Sequence, residues 1–141
     1  MKYPKLFEPG KIGNLTVKNR IVMAPLAMGA AEKDQTIGPA FLAYLLERAR
    51  GGVGMIVLEN TRVDDQHGVA AECQASVARD EHIAPLAAAA EALHKEGVVF
   101  FTQLHPPGRE TFSNLNGSEP VWSSSPRPCG VCQQETHEMT T

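Results

Sequence analysis

Six residues, Val53-Gly54-Met55-Ile56-Val57-Leu58, carry no polar side chain and follow directly on the glycine pair Gly51-Gly52. A run that is apolar at every position fits a strand covered on both faces, as in a parallel sheet, and not one with a face in water. What precedes it strengthens this reading. Pro39 suits a first helical turn, where its missing N–H has no helical partner anyway. Phe41, Leu42, Leu45, Leu46 and Ala49 recur at helical spacing, and Arg48 and Arg50 fall in the last turn, where cations complement the helix dipole. Gly51-Gly52 then stops the helix. A helix running straight into a doubly covered strand belongs to an α/β fold with a parallel sheet.

The same unit recurs on either side. A second helix starts near His82 or Ile83 with Pro85 close to its first turn; Ile83, Leu86, Ala90 and Leu93 mark its buried stripe, and Glu91 and Lys95 form an i,i+4 pair. Gly97 ends it, and residues 98–104 make another core strand. Upstream, Arg20-Ile21-Val22-Met23-Ala24 is the first core strand, ended by Pro25, which cannot donate to a ladder. Lys11-Ile12-Gly13-Asn14-Leu15-Thr16-Val17 reads as a hairpin around a Gly-Asn turn. The chain therefore divides into a hairpin over 1–18, a βαβαβ run over 19–105, and an extended loop or tail over 106–141, rich in Pro, Gly, Ser and Asn. The polar stretch 60–79 reads as a long loop, functional or disordered.

Composition narrows the function. With a formal net charge of -3 and scattered Lys and Arg, the chain shows no basic stripe for nucleic acid. No segment approaches the ~20 apolar residues of a membrane span, and the first residues lack the apolar run of a secretory signal, so a cytoplasmic protein is the expectation. Three cysteines cannot all pair internally. What remains is chemistry at strand ends: Met23-Ala24-Pro25 and Gln103-Leu104-His105-Pro106-Pro107-Gly108-Arg109 place polar or turn-forming residues where parallel strands run out, the place an α/β barrel builds its active site.

Leu6-Phe7-Glu8-Pro9, Lys11-Ile12-Gly13-Asn14-Leu15, Lys18-Asn19-Arg20-Ile21-Val22-Met23-Ala24-Pro25, Asp80-Glu81-His82-Ile83 and Gln103-Leu104-His105 with Gly108-Arg109 occur in this order. Together they resemble the N-terminal part of an Old Yellow Enzyme-type NADH:flavin oxidoreductase, in its 2,4-dienoyl-CoA reductase and bile-acid enoate reductase branch. The resemblance implies the N-terminal portion of a (β/α)₈ TIM barrel, a hairpin plus about three βα units, not closed. It implies FMN as cofactor, NAD(P)H as reductant, and an enone or enoyl small molecule as substrate. The backbone of Ala24, Pro25, Leu26 and Ala27 would lie along the isoalloxazine ring, Asn60 would touch the flavin, and Gln103 would meet its pyrimidine edge. A side-chain amide offers both donor and acceptor, matching the N–H and C=O groups of an imide. Ala27 stands where a Thr or Cys is common, which implies a lower flavin reduction potential. Any iron–sulfur cluster of that branch would belong to sequence beyond this chain.

A closed barrel needs about 250 residues and eight strands. The resemblance therefore implies a truncated enzyme with no catalytic residue of its own and little activity alone, whose open sheet edges could self-associate. A second reading is an interaction fragment docking on a partner chain, or a small metal-binding module using Cys129 and Cys132. That pair can be redox-active or half a metal site, yet only Cys73 and scattered histidines remain as further ligands, so it reads first as non-functional. Gln103 and Pro25 have plain readings as strand-end residues. His105 reads as a loop residue and Arg109 as a structural partner for a carboxylate.

Overall fold

The computed structural model describes residues 2–112, 114–117 and 120–140; Met1, Ser113, Ser118, Glu119 and Thr141 lie outside the described residues. A hairpin of β1 (Gly10–Ile12) and β2 (Leu15–Val17) opens the chain, its turn passing through Gly13 at φ +56°. Then come β3 (Val22–Met23), α1 (Pro39–Arg50), β4 (Met55–Arg62), α2 (Ile83–Lys95) and β5 (Val99–His105). The three strands form one parallel sheet in the order β3-β4-β5. This makes two complete βα units and the strand of a third, an unclosed part of a barrel as expected.

The core lies between the sheet and its helices. Phe41, Leu45 and Ala49 from α1 pack with Ile56 and Leu58 from β4 and with Leu93 of α2, with Met23 and Phe100 partly buried against them. Gly52 (φ +101°) and Gly97 (φ +69°) take the left-handed conformation that ends each helix and turns the chain into the next strand. Asn19 fixes the other end of β3: its Nδ2 donates to the Gly52 carbonyl at 2.7 Å, and its Oδ1 accepts from the Ile21 N–H at 3.0 Å. Gly54 must be glycine here, because a Cβ would sit 2.6 Å from Asn19 O. The conspicuous Asn19-Arg20-Ile21 stretch thus has a structural job, stapling the first strand to the turn before the second.

Several expectations need correction. In the stripe expected on α2, Leu93 is buried and Leu86 and Ala90 half-buried, but Ile83 is 63% exposed and Ala89 is buried in addition. The helix is entered through a tight turn over Asp80–His82, and the buried His82 ring, accepting from the Arg79 N–H and bridging to the Asp34 carbonyl, takes the inward place expected of Ile83. The strand β4 does not stop before Asn60 but runs on to Arg62. The stretch after it is folded back along the strand end: Arg62 N donates to Ala75 O and Val77 N to Arg62 O, both at 2.8 Å.

Nor is 106–140 a tail with nothing to pack against. It contains β6 (Val121–Ser123) and β7 (Thr136–Glu138), a short parallel pair. Trp122 lies between His67 and His137, with ring centroids 6.3 and 5.6 Å away. Thr111 Oγ1 donates to the His67 carbonyl at 3.0 Å, which ties this segment to the one after β4.

Candidate functional site

The site is best built from the register of β4 against β5. Leu58 pairs with Thr102, but Asn60, two residues on, pairs with Gln103. Thr102 and Gln103 are neighbours and face opposite sides of the sheet, so Leu58 and Asn60 do too. The intervening Glu59 is the extra residue of a bulge, a device that re-aims the side chains beyond it. Leu58 points at the helices and is buried. Asn60 and Gln103 therefore stand side by side on the face away from the helices, which in a closed barrel is the interior. Val22 and Phe101 share that face and are 45% and 38% exposed.

Glu59 is a structural clamp of this rim that the sequence did not reveal. It is 3% exposed, and its carboxylate accepts backbone N–H bonds from Met28, from Gly29 at 3.3 Å and from Ala75 at 3.4 Å. One side chain thus ties the loop after β3 to the segment that returns along β4. Thr61 Oγ1 donates to the Glu59 carbonyl at 2.7 Å and secures the bulge itself. Gln74, buried, donates to the Asn60 carbonyl at 3.1 Å and accepts the Ala70 N–H at 2.9 Å.

The predicted site residues fall as follows. Ala24, Pro25, Leu26 and Ala27 continue directly from β3, beside the end of β4. Ala24, Leu26 and Ala27 are exposed and Pro25 half-buried. Asn60 is half-buried and Gln103 exposed, and neither side-chain amide is engaged by another described residue. The strand ends thus present a small apolar ledge next to two free amides. A flat ring system with an imide edge fits that donor set, since the ledge offers a face and the amides offer both hydrogen-bonding senses.

Two residues differ from expectation. His105 is not in a loop; it ends β5, and its Nδ1 is buried without a hydrogen-bond partner. Arg109 is exposed and makes no ion pair among the described residues. Arg62 ends β4 with a buried guanidinium, and burial pushes its pKa down, partly offset by Asp65 at 3.7 Å. Around Cys129 and Cys132, no cluster of three or more ligating side chains occurs among the described residues.

A family model described as NADH:flavin oxidoreductase / NADH oxidase matches residues 5–141. The chain belongs to that family. It is 40% identical over 139 residues to an NADH oxidase of Thermoanaerobacter brockii, covering 98% of this chain and 21% of that protein. It is 35% identical over 138 residues to an NADPH dehydrogenase of Bacillus velezensis, covering 97% of this chain and 39% of the relative. Among solved structures it is similar to a 2-naphthoyl-CoA reductase in complex with 2-naphthoyl-CoA (TM-score 0.88, 23% identity, 98% of this chain and 23% of that one). It is also similar to the Old Yellow Enzyme homologue of Zymomonas mobilis (TM-score 0.81, 24% identity, 97% and 40%). The chain spans about a fifth to two fifths of the length of these proteins. Its sheet of β3, β4 and β5 forms part of the barrel fold of these structures, and is not closed. No helix among the described residues is long and apolar enough to cross a membrane.

Proposed function

We propose that these 141 residues form the flavin-contacting rim of an FMN-dependent NAD(P)H oxidoreductase acting on activated C=C bonds. The observation that carries this reading is the bulge at Glu59, which sets the amides of Asn60 and Gln103 abreast on the interior face. Residues 24–27 would support one face of the ring through their backbone, with Gln103 donating to and accepting from the imide edge and Asn60 beside it. When bound, FMN supplies two-electron hydride chemistry between the nicotinamide and the substrate. This chain's part is to hold and orient the ring and to keep water from its inner edge. The exposed Val22 and Phe101 are interior positions that further barrel strands would cover, and they would drive self-association of the chain by itself. A cytosolic setting suits such a nicotinamide-linked enzyme.

The test is a chimera in which this chain replaces the corresponding N-terminal part of the Thermoanaerobacter NADH oxidase. It is expected to purify with FMN bound and to oxidise NAD(P)H with an enone acceptor. A chimera that folds by circular dichroism yet takes up no flavin would overturn the reading. The 141-residue chain alone is expected to show no turnover.

A further inference from the structure

Beyond the flavin rim lies a cavity of about 340 Å³ whose wall includes Asn60, His105, Glu110, Cys129 and Cys132. The two cysteines are set differently within it. Cys129 is 4% exposed, and its sulfur accepts the Val131 N–H at 3.3 Å. The Cys132 thiol is half-buried and leans toward the Glu110 carbonyl at 3.9 Å. The turn between them is closed by Gln133 N donating to Cys129 O at 3.0 Å, with Gln133 in the left-handed region at φ +50°. Cys73 does not line the cavity and serves as a comparison within the same chain.

We infer that Cys129 and Cys132 are a peroxide-reactive dithiol, Cys129 the attacking thiolate and Cys132 the resolving thiol. The geometry gives each sulfur its role. Backbone N–H groups of Cys132 and Val131 converge on the Cys129 sulfur, an arrangement that favours the anion and holds its pKa below the usual thiol range. Cys132 has the opposite character: burial, together with its hydrogen bond to Cys129, pushes its pKa up. A thiolate that is nearly covered but faces a cavity is reached by a small oxidant and not by a bulky disulfide. Hydrogen peroxide is such an oxidant.

The steps balance. The Cys129 sulfur attacks one peroxide oxygen; an S–O bond forms, the O–O bond breaks, and the departing hydroxide takes a proton to become water. Sulfur has given up two electrons and is a sulfenic acid. The Cys132 sulfur then attacks the Cys129 sulfur; an S–S bond forms, the S–O bond breaks, and hydroxide leaves with the Cys132 proton as a second water. Return to the dithiol by an external dithiol reductant begins at the more exposed Cys132, with Cys129 as the better leaving group because of its lower pKa.

The experiment needs no flavin, so its outcome is independent of the cofactor reading. The purified chain receives one equivalent of hydrogen peroxide at neutral pH, remaining thiols are blocked with N-ethylmaleimide, and peptides are mapped by mass. The expected result is loss of two hydrogens and of both alkylation sites in the 129–132 peptide, at least about tenfold faster than oxidation of Cys73, whose sulfur does not line the cavity. In Cys132→Ser, the sulfenic acid at Cys129 is expected to accumulate and to be captured by dimedone. The inference is overturned if Cys73 oxidises as fast as the pair, if Cys132 oxidises undiminished in Cys129→Ser, or if the rate advantage survives unfolding in urea.

Discussion

Replacing Glu59 by alanine is expected to destabilise the chain by about 3 kcal/mol and to lower its melting temperature by roughly 10 °C. Three backbone N–H groups, from Met28, Gly29 and Ala75, have this carboxylate as their acceptor inside a site that is 3% exposed. An alanine removes the acceptor of all three; a buried unsatisfied donor costs about 1–3 kcal/mol, so the loss is greatest at buried Ala75 and least at exposed Gly29, whose N–H turns to water. Glu59→Gln should fall between the two. Its single carbonyl can serve Met28 and Gly29, while its amide NH₂ confronts the Ala75 N–H, donor against donor. Thermal unfolding followed by circular dichroism ranks the three proteins. Equal stability for wild type and Glu59→Ala would remove Glu59 from its place as the clamp of this rim.

Gln103→Leu is expected to do the reverse, sparing the fold and weakening flavin binding about tenfold, the loss of roughly 1.4 kcal/mol in hydrogen bonding. Gln103 is exposed and engages no other described residue, so its removal costs the folded chain little. At the proposed place beside the flavin's imide edge, however, both senses of the amide would be used, and leucine supplies neither. The measurement is quenching of FMN fluorescence in the chimeric barrel, compared with and without the substitution, at matched melting temperatures. Asn60→Leu makes the natural companion, since the two amides are neighbours in the ladder and their effects should not add independently.

How much of this was legible in the sequence depends on the kind of signal. The two helices were, because the apolar residues of α1 repeat at a helical period and glycines stand where each helix must end. The parallel order followed from them. The far end of β4 was not legible. Glu59, Asn60 and Arg62 look like loop residues in a list, and only pairing with β5 shows that they continue the strand through a bulge. That bulge decides which way Asn60 faces, so its orientation could not be read from the sequence. Glu59 escaped notice because its donors lie 31, 30 and 16 residues away in sequence and are backbone groups, which carry no residue-type signal. The strands β6 and β7 are three residues each, too short for a period of two to stand out. Ile83 was misplaced because an apolar residue at a helix start satisfies the stripe pattern, whereas the packing there is taken by His82.

The central claim is that the ends of β3, β4 and β5 form one flavin-facing ledge, and it is tested most directly by mapping FMN onto the isotope-labelled chain by NMR. The account predicts concentration-dependent shifts in the backbone amides of residues 26 and 27 and in the side-chain NH₂ groups of Asn60 and Gln103, with α1 and α2 unmoved. Shifts confined to the helices or to the hairpin of β1 and β2, with both side-chain amides silent, would contradict it.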